Sequence, residues 1–201
     1  MAGMRIVLAS QSPSRRKLLT DAGITPAIHP AHVDEDAIRA ALPSSTAPSD
    51  VVAALARAKS EAVAAQYPDD VVIAADSMLL LDGTLQGKPH TVDAAVERWR
   101  TQSGRTVELL TGHCISYRDQ AFTRTTSTRI TFGTPTEDDI AAYVRSGEPL
   151  EVAGAFTLEA RGGLFVDAIE GDPSSVIGLS LPLVREALYS FGLSVTQFWE
   201  K

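Results

Sequence analysis

The chain has 201 residues, 44% hydrophobic and 21% charged, so it can bury a core as one large domain or two small lobes. Its net charge of −7 argues against a nucleic acid partner, because proteins that bind polyanions usually carry a basic surplus. Its single cysteine excludes an internal disulfide, and no apolar run approaches transmembrane length. The composition therefore predicts a cytoplasmic protein with neither a nucleic acid nor a membrane partner.

A buried strand over residues 5–9 and a helix from Pro13 are predicted at the start of the chain. Ser12 is a favourable N-cap, and proline is favoured at the first helical position. Gly23 then supplies the stop that many helices have just beyond their C-terminus. A strand, a short polar turn and a helix therefore follow one another.

The first two turns of this helix carry three cations, although the helix macrodipole is already positive there. A bound anion would resolve the conflict, because backbone N–H groups, serine hydroxyls and an arginine fork can all donate to it. Solvated cations are the plainer alternative, but two hydroxyls and two arginines so close together favour an anion such as phosphate. The candidate phosphate-binding residues in this segment are Ser10, Ser12, Arg15 and Arg16.

The rest of the chain predicts helices mixed with hairpins. Asp82-Gly83 is a strong hairpin turn between apolar segments. The predicted elements are an extended segment over 24–34, a helix over 48–66, strand segments over 71–75 and 78–81, a helix over 92–102, strands over 106–118 and 121–133, a helix over 136–146 with a capping box, strands within 152–170 and a helix over 181–191. This order predicts an α/β or α+β sheet of mixed direction.

Asp76 interrupts an apolar run, and we expect it at the C-terminal end of a buried strand, where open α/β sheets bind ligands. A buried, unpaired carboxylate is costly, so Asp76 needs a metal, a cation or a cage of hydrogen bonds. The alternative is an aspartate that serves a turn with Ser77. An acidic cluster such as 34–36 is usually a solvated loop, and the alternative is that Glu35 shares a divalent ion with Asp76.

Two lysines are further candidates for phosphate contacts. Lys59 lies within the apolar sector of its predicted helix, so it either snorkels to the surface or reaches from the edge of the core into a cleft. Lys88 lies in Gly87-Lys88-Pro89, which is not a P-loop, because the glycine spacing is one residue short and proline replaces the required Ser or Thr. A single phosphate contact by Lys88 is still compatible with this turn.

The chain resembles the Maf family of nucleoside triphosphate pyrophosphatases over nearly its whole length. The matching blocks, in order, are residues 8–16, Val33-Asp34-Glu35, 56–59, Ala74-Ala75-Asp76-Ser77, Gly87-Lys88-Pro89, Ser103-Gly104-Arg105, 110–112, 148–150, 153–156 and 171–179. The resemblance implies one domain over residues 1–201, with two lobes around a cleft. Its α/β fold would have a mixed, elongated sheet flanked by helices, similar to that of the inosine triphosphate pyrophosphatases.

The reaction implied by this resemblance is hydrolysis of a nucleoside triphosphate to a monophosphate and pyrophosphate, a house-cleaning activity on non-canonical or modified nucleotides. Asp76 matches the family's proposed proton acceptor. A divalent cation, Mg²⁺ or Mn²⁺, would be held by Glu35 and Asp76, and a homodimer is usual. The residues that would contact the triphosphate are Ser10, Ser12, Arg15, Arg16, Lys59 and Lys88.

Three positions follow substrate choice in the family: Ser14, Ser77 and Glu159. Glu159 resembles the branch that acts on 7-methylguanosine triphosphate, and a carboxylate suits guanine because its N1–H and amino group are both donors. That branch has tryptophan and glutamine in place of Ser14 and Ser77. The sequence therefore leans to a purine of the 7-methylguanosine type.

Two other function classes are compatible with parts of the sequence. A nucleotide-binding regulator of cell division or septum formation would need no turnover, and the intact Asp76, Lys59 and Lys88 argue against it, because mere binding does not require a carboxylate near phosphates. A sugar nucleotidyltransferase would have a glycine-rich turn where this chain has Ser10-Gln11-Ser12-Pro13.

Overall fold

The computed structural model describes residues 3–200 of the chain. Its helices and strands are β1 (Ile6–Leu8), α1 (Pro13–Asp21), β2 (Ala27–Ile28), α2 (Glu35–Ala41), α3 (Pro48–Ala64), β3 (Val71–Leu81), β4 (Thr84–Gln86), α4 (Val92–Gln102), β5 (Thr106–Tyr117), β6 (Gln120–Phe132), α5 (Glu137–Arg145), β7 (Val166–Glu170), α6 (Pro173–Ile177) and α7 (Leu181–Ser190). Short 3-10 turns occupy Glu148–Glu151, Ala153–Ala155, Arg161–Phe165 and Val195–Phe198. The predicted mixed α/β class is confirmed.

The described strands form one sheet in the order β2-β1-β3-β5-β6-β7, and β4 pairs with β3. Strand β1 runs parallel to β2 and to β3, with Leu8 opposite Ile73. Strand β4 is antiparallel to β3, and β7 is antiparallel to β6. Parallel neighbours need a crossover connection, whereas a tight hairpin joins antiparallel ones, so the helices and the Asp82-Gly83 turn together account for the predicted mixed direction.

The chain divides into two compact units. The first contains the residues up to Asp76, Thr111–Thr126 and the residues from Gly178 onward. The second contains Ser77–Leu110 and Ser127–Ile177. Within residues 3–200, no helix combines the length and the apolar character that crossing a bilayer requires.

The core of the first unit packs α1 and α7 against buried strand residues. Leu8, Ile73 and Ile115 are fully buried in it, together with Leu19 of α1 and Leu188 of α7. Each such side chain contributes about 1.5–3 kcal/mol of burial free energy. The packing fixes the N-terminal turn of α1, which holds the cations singled out above.

Helix α3 packs directly against β5 through a glycine. A Cβ at Gly112 would lie 2.2 Å from the carbonyl oxygen of Val52, so only glycine permits this approach. A second contact joins the hydroxyl oxygens of Ser60 and Ser116, which are 2.9 Å apart. Because α3 carries Lys59, this close contact sets the position of that lysine.

We expect Gly112→Ala to lower the free energy of unfolding by about 3 kcal/mol, because the backbone of α3 would have to move away from β5. Urea denaturation measures the change. Gly87→Ala is the matched control, since its added methyl carbon would lie 3.7 Å from Met78 Cε, an ordinary van der Waals distance. Equal losses in the two variants would contradict the direct α3–β5 contact.

Trp99 of α4 forms the centre of the core of the second unit. Its fully buried ring meets Phe132, Tyr143 and Phe165 edge to face, at centroid distances of 5.3, 5.6 and 5.5 Å. Its indole N–H donates to the carbonyl oxygen of Ala155 at 2.8 Å, so the polar end of the ring is satisfied. The aromatic cluster therefore anchors both α5 and the 3-10 turns that follow it.

The carboxylate of Glu148 holds the segment after α5 in place. Its Oε1 accepts hydrogen bonds from the Tyr143 hydroxyl and the Gly162 N–H, each at 3.0 Å, and from the Thr157 hydroxyl. Its Oε2 accepts from the Arg161 N–H at 3.3 Å. Burial raises the pKa of Glu148, but these hydrogen bonds to the ionised form outweigh burial, and the pKa lies below its ordinary value.

We expect part of the stability to be lost in acid through Glu148. Its pKa is lower in the folded chain, so its stabilising contribution is complete above the ordinary value of 4.5 and is lost as the pH falls through the folded pKa. Glu148→Gln should therefore flatten the pH dependence of the unfolding free energy below about pH 5. Glu170→Gln, which changes an exposed carboxylate, should keep the wild-type profile. A Glu148→Gln profile as steep as the wild type would contradict the expectation.

Two local predictions around Asp76 and the acidic cluster are wrong. Strand β3 does not end at Asp76 and Ser77 but runs through both, because its later residues pair with β4, Leu81 opposite Thr84. The acidic cluster is not a loop but the start of α2. Asp34 is its N-cap, and its side chain accepts from the Ala37 N–H at 2.9 Å.

The predicted strands within residues 152–170 are also mostly wrong, since only Val166–Glu170 is a strand. Gly154 and Ala155 have positive φ values of 72° and 58°, which interrupt an extended chain. Gly162 approaches the backbone of Thr157 too closely for any side chain. The chain therefore winds through two 3-10 turns where the apolar pattern predicts strands.

Candidate active site

Asp76 is the central residue of the candidate site. Strand β3 places it among buried residues, and its side chain is only 10% exposed. Its Oδ1 lies 2.6 Å from Nζ of Lys59, which α3 supplies. A carboxylate that would be costly alone in the sheet thus has a charged hydrogen-bond partner.

Lys59 contacts a second carboxylate as well. Its Nζ lies 2.8 Å from Oε1 of Glu35, the first residue of α2. The lysine side chain is 12% exposed and the glutamate 44%, so the pair lies at the edge of the core. The Lys59 ammonium is therefore directed at two carboxylates and not at open solvent.

Arg15 adds a half-buried guanidinium side chain to the same unit. Its Nε–H donates to the carbonyl oxygen of Gly178 at 2.7 Å, and its Nη1 donates to Ser10 Oγ at 3.2 Å. Burial lowers the pKa of Arg15, and the negative charges of Asp76 and Glu35 oppose that shift. The first unit therefore assembles two cations and two carboxylates whose charges act on one another.

The two predicted serines lie beside this group. Ser10 Oγ accepts from the Ser12 N–H at 3.2 Å as well as from Arg15. Ser12 is the N-cap of α1, and its Oγ accepts from the Arg15 N–H at 3.4 Å. These contacts use the lone pairs of the hydroxyl oxygens and not their hydrogens. Both serines therefore order the turn that the sequence predicts as a phosphate site.

The other predicted residues differ in burial and in the element that carries them. Ser14 is half-buried on α1, and Arg16 is exposed there; the Arg16 N–H donates to the Ser12 carbonyl oxygen at 3.2 Å, and the Thr20 hydroxyl donates to the Arg16 carbonyl oxygen at 3.0 Å. In the second unit, Lys88 is 53% exposed, with its Nζ 4.0 Å from Glu151 Oε2. Ser77 is half-buried on β3, and Glu159 is exposed before a 3-10 turn. The roles assigned to all of these residues stay predictions.

Gly178 is a contributor that analysis of the sequence missed. Its carbonyl orients Arg15, and a Cβ on it would lie 3.1 Å from Arg15 Nε, with a φ of +126° that favours glycine. The neighbouring Ser180 N–H donates to Nε2 of the fully buried His113 at 2.8 Å, which fixes this segment. The only signal in the sequence is a glycine within the 171–179 block, and its partner is distant along the chain.

The carboxylates of Asp76 and Glu35 are directed at one common point, as two ligands of a magnesium or manganese ion would be. Both reach the same small cation, the Lys59 ammonium, so both face one point. Mg²⁺ typically takes one or two carboxylates and completes its shell with substrate phosphates and water. Among residues 3–200, no cluster of three or more His, Cys, Asp or Glu could hold a metal alone. The donor set thus suits an ion that arrives with a phosphorylated ligand.

Comparison with known proteins gives a consistent result over almost the whole chain. A family model described as "Maf-like protein" matches residues 5–191. A protein of Corynebacterium efficiens is 62% identical, over 98% of this chain and 100% of its own, and one of Corynebacterium aurimucosum is 61% identical, over 98% of each. One of Nocardia farcinica is 54% identical, over 96% of each chain. All three relatives are named "Nucleoside triphosphate pyrophosphatase".

Proposed function

We propose that this chain, which belongs to the Maf family, hydrolyses nucleoside triphosphates to nucleoside monophosphates and pyrophosphate. The observation that carries the proposal is a nearly buried carboxylate, Asp76, held at 2.6 Å by Lys59 within the same charged group as Arg15. Cations that bind phosphates and a carboxylate that can act on water are the two components that this reaction needs. The names of the close relatives support the same activity.

The triphosphate would bind through the first turn of α1 and the cations near it. Arg15 presents a guanidinium whose orientation is fixed by Gly178 and Ser10, so little ordering cost remains when phosphate binds. The Ser10 and Ser12 hydroxyl hydrogens are suitable donors to phosphate oxygens. We assign Lys59, Arg16 and Lys88 as further phosphate contacts.

Asp76 would orient the attacking water and accept its proton. Water then attacks the α-phosphorus, the bond from that phosphorus to the bridging oxygen breaks, and pyrophosphate leaves. Lys59 and Arg15 neutralise the negative charge that grows on the leaving group. Positioning and electrostatic stabilisation therefore account for the rate enhancement we propose.

Glu35 and Asp76 would hold the divalent cation, Mg²⁺ or Mn²⁺. When bound, such an ion supplies charge neutralisation on the phosphate oxygens and polarises the reacting phosphorus. The Lys59 ammonium compensates both carboxylates in this structure, and with an ion held there it would exchange them for the phosphates. This exchange makes Lys59 a shared partner of carboxylates and substrate.

We infer that the base is a purine of the 7-methylguanosine type and that the activity removes modified nucleotides. Glu159 supports this choice, because its exposed carboxylate can accept from both the N1–H and the amino group of guanine. Ser14 and Ser77 are proposed as the other specificity positions. Residues 1–201 would act as one pyrophosphatase domain. The homodimer, the cytoplasmic location and the absence of a nucleic acid partner stay predictions of the sequence.

The test is turnover of a panel of canonical and modified triphosphates in ¹⁸O-labelled water with Mg²⁺ or Mn²⁺. We expect monophosphate and pyrophosphate in equal amounts, with the label in the monophosphate, and loss of turnover when EDTA removes the metal. Release of orthophosphate would contradict the proposed bond cleavage. Calorimetric binding without turnover of any triphosphate would favour the regulator without catalysis.

A further inference from the structure

A single carboxylate in the second unit, Glu148, organises a loop and has no part in the proposed hydrolytic step. Donors from Tyr143, Thr157, Arg161 and Gly162 converge on it, and its side chain is 14% exposed. Three of these donors belong to the segment 157–162, which contains Glu159. The glutamate thus closes a ring of hydrogen bonds around the residue that we assign to base selection.

The ring is anchored in the core and closely packed at Gly162. Tyr143 is 4% exposed and its ring contacts Trp99 and Phe165. The Thr157 N–H donates back to the Tyr143 hydroxyl at 3.3 Å. A Cβ at Gly162 would lie 2.5 Å from that hydroxyl oxygen and 2.6 Å from the Thr157 carbonyl oxygen. These contacts therefore constrain both ends of the loop, although Glu159 itself is exposed.

We propose that Glu148 is a positioning residue for substrate selection: it fixes the 157–162 loop in the conformation that presents the Glu159 carboxylate to the base. This inference rests on the proposed function. The physical reason is that two parallel hydrogen bonds to guanine require a carboxylate of defined direction, whereas an exposed glutamate on a mobile loop would lose that direction in its many rotamers. Glu148 would act on selectivity without touching the nucleotide.

Glu148→Gln is the sharpest variant because it keeps the shape and removes the charge. Its amide nitrogen can no longer accept and instead meets N–H groups that also donate, so the ring cannot close in the same way. Thr157→Val is a second, milder variant that removes one donor and keeps the volume. Glu170→Gln is the matched control, an exposed glutamate of the same unit that pairs with Arg129 at 2.9 Å.

The measurement is the ratio of kcat/KM for 7-methylguanosine triphosphate to kcat/KM for uridine triphosphate. We expect Glu148→Gln to lower this ratio about tenfold, through KM for the purine substrate, with kcat nearly unchanged. Thr157→Val should shift it in the same direction by less, and Glu170→Gln should leave it at the wild-type value. In the Glu159→Gln variant, adding Glu148→Gln should not change the ratio further, because Glu148 acts on selectivity through Glu159.

A ratio unchanged by Glu148→Gln and Thr157→Val, in a chain where Glu159→Gln does lower it, would overturn the positioning role and leave the proposed function intact. Equal losses of kcat/KM for both nucleotides would also overturn it, since they indicate a purely structural role. A Glu159→Gln variant with the wild-type ratio would overturn it together with the base assignment, while pyrophosphate release continues. Failure of the hydrolytic function is seen separately, as no pyrophosphate from any triphosphate with the wild-type chain.

Discussion

Asp76→Asn is expected to lower kcat by roughly 10²–10⁴-fold, the usual contribution of a positioned general base. Asparagine keeps the size of the side chain but cannot accept a proton from water. The fold should persist, because Lys59 retains Glu35 at 2.8 Å when it loses its charged partner on β3. Pyrophosphate release under saturating triphosphate gives kcat, and circular dichroism with thermal melting reports the fold.

The matched control is Asp70→Asn. Asp70 is also nearly buried in the first unit, where it accepts from the Arg5 N–H at 2.8 Å and pairs with the Arg5 side chain at 2.7 Å. We expect this variant to lose some stability and to keep kcat within about twofold, since the partner described for Asp70 is Arg5 and not a residue of the candidate site. Equal kcat values for Asp76→Asn and the wild type would remove Asp76 from the chemistry.

Lys59→Met is expected to damage stability and activity together. Asp76 would keep a nearly buried charge with no ammonium beside it, which costs about 2–4 kcal/mol of unfolding free energy. The lost ion pair with Glu35 adds less to this destabilisation, because the Glu35 side chain is 44% exposed and water screens its charge. Activity should fall by roughly 10²–10³-fold with the loss of one stabilising donor. Chemical denaturation and pyrophosphate release measure the two effects.

Lys17→Met is the control for Lys59→Met, since Lys17 makes an exposed pair with Asp21 at 2.6 Å on α1 and should change stability by less than about 0.5 kcal/mol. The double variant Lys59→Met/Asp76→Asn separates the two effects. It should regain most of the stability, because the buried charge is gone, and none of the activity. A double variant as unstable as Lys59→Met would show that packing of the lysine stem, not charge, is responsible.

The elements that the sequence predicts correctly are those whose signals lie within a few neighbouring residues. The N-cap Ser12 with Pro13 begins α1, and the N-cap Thr136 begins α5. Asp82 and Gly83 adopt the positive φ values of 50° and 76° that a tight hairpin requires. Caps and turns depend on local hydrogen bonds and backbone sterics, so tertiary contacts do not override them here.

The elements that the sequence predicts wrongly depend on partners far along the chain. A charged residue in an apolar run suggests the end of a strand, but Asp76 stays inside β3 because Lys59, 17 residues earlier, supplies the counter-charge. Residues 152–170 have a strand-like apolar pattern, yet Glu148 and the close contacts of Gly162 fold them into turns. The hydrophobic pattern of a short segment does not reveal contacts with residues far along the chain.

The residues of the candidate site divide in the same way, into those with a signal in the local sequence and those whose partner is distant along the chain. Arg15, Lys59 and Asp76 could each be singled out by chemistry that conflicts with their predicted surroundings, and Glu35 by its place in an acidic cluster. The structure brings these four into one charged group. Gly178 could not be found in this way, because a glycine carbonyl has no side-chain signal and its partner Arg15 lies 163 residues away.

The hydrogen bond from Arg15 to Gly178 has a consequence for synthesis of the chain. Translation proceeds from the N-terminus at about 5–20 residues per second, so Arg15 leaves the ribosome long before the carbonyl that orients it exists. The second unit has all of its residues once Ile177 is made, whereas the first still lacks Leu188 and the rest of α7. The unit that begins first in translation is therefore the last that can be completed, and a nascent chain stalled before Gly178 lacks the carbonyl that orients Arg15.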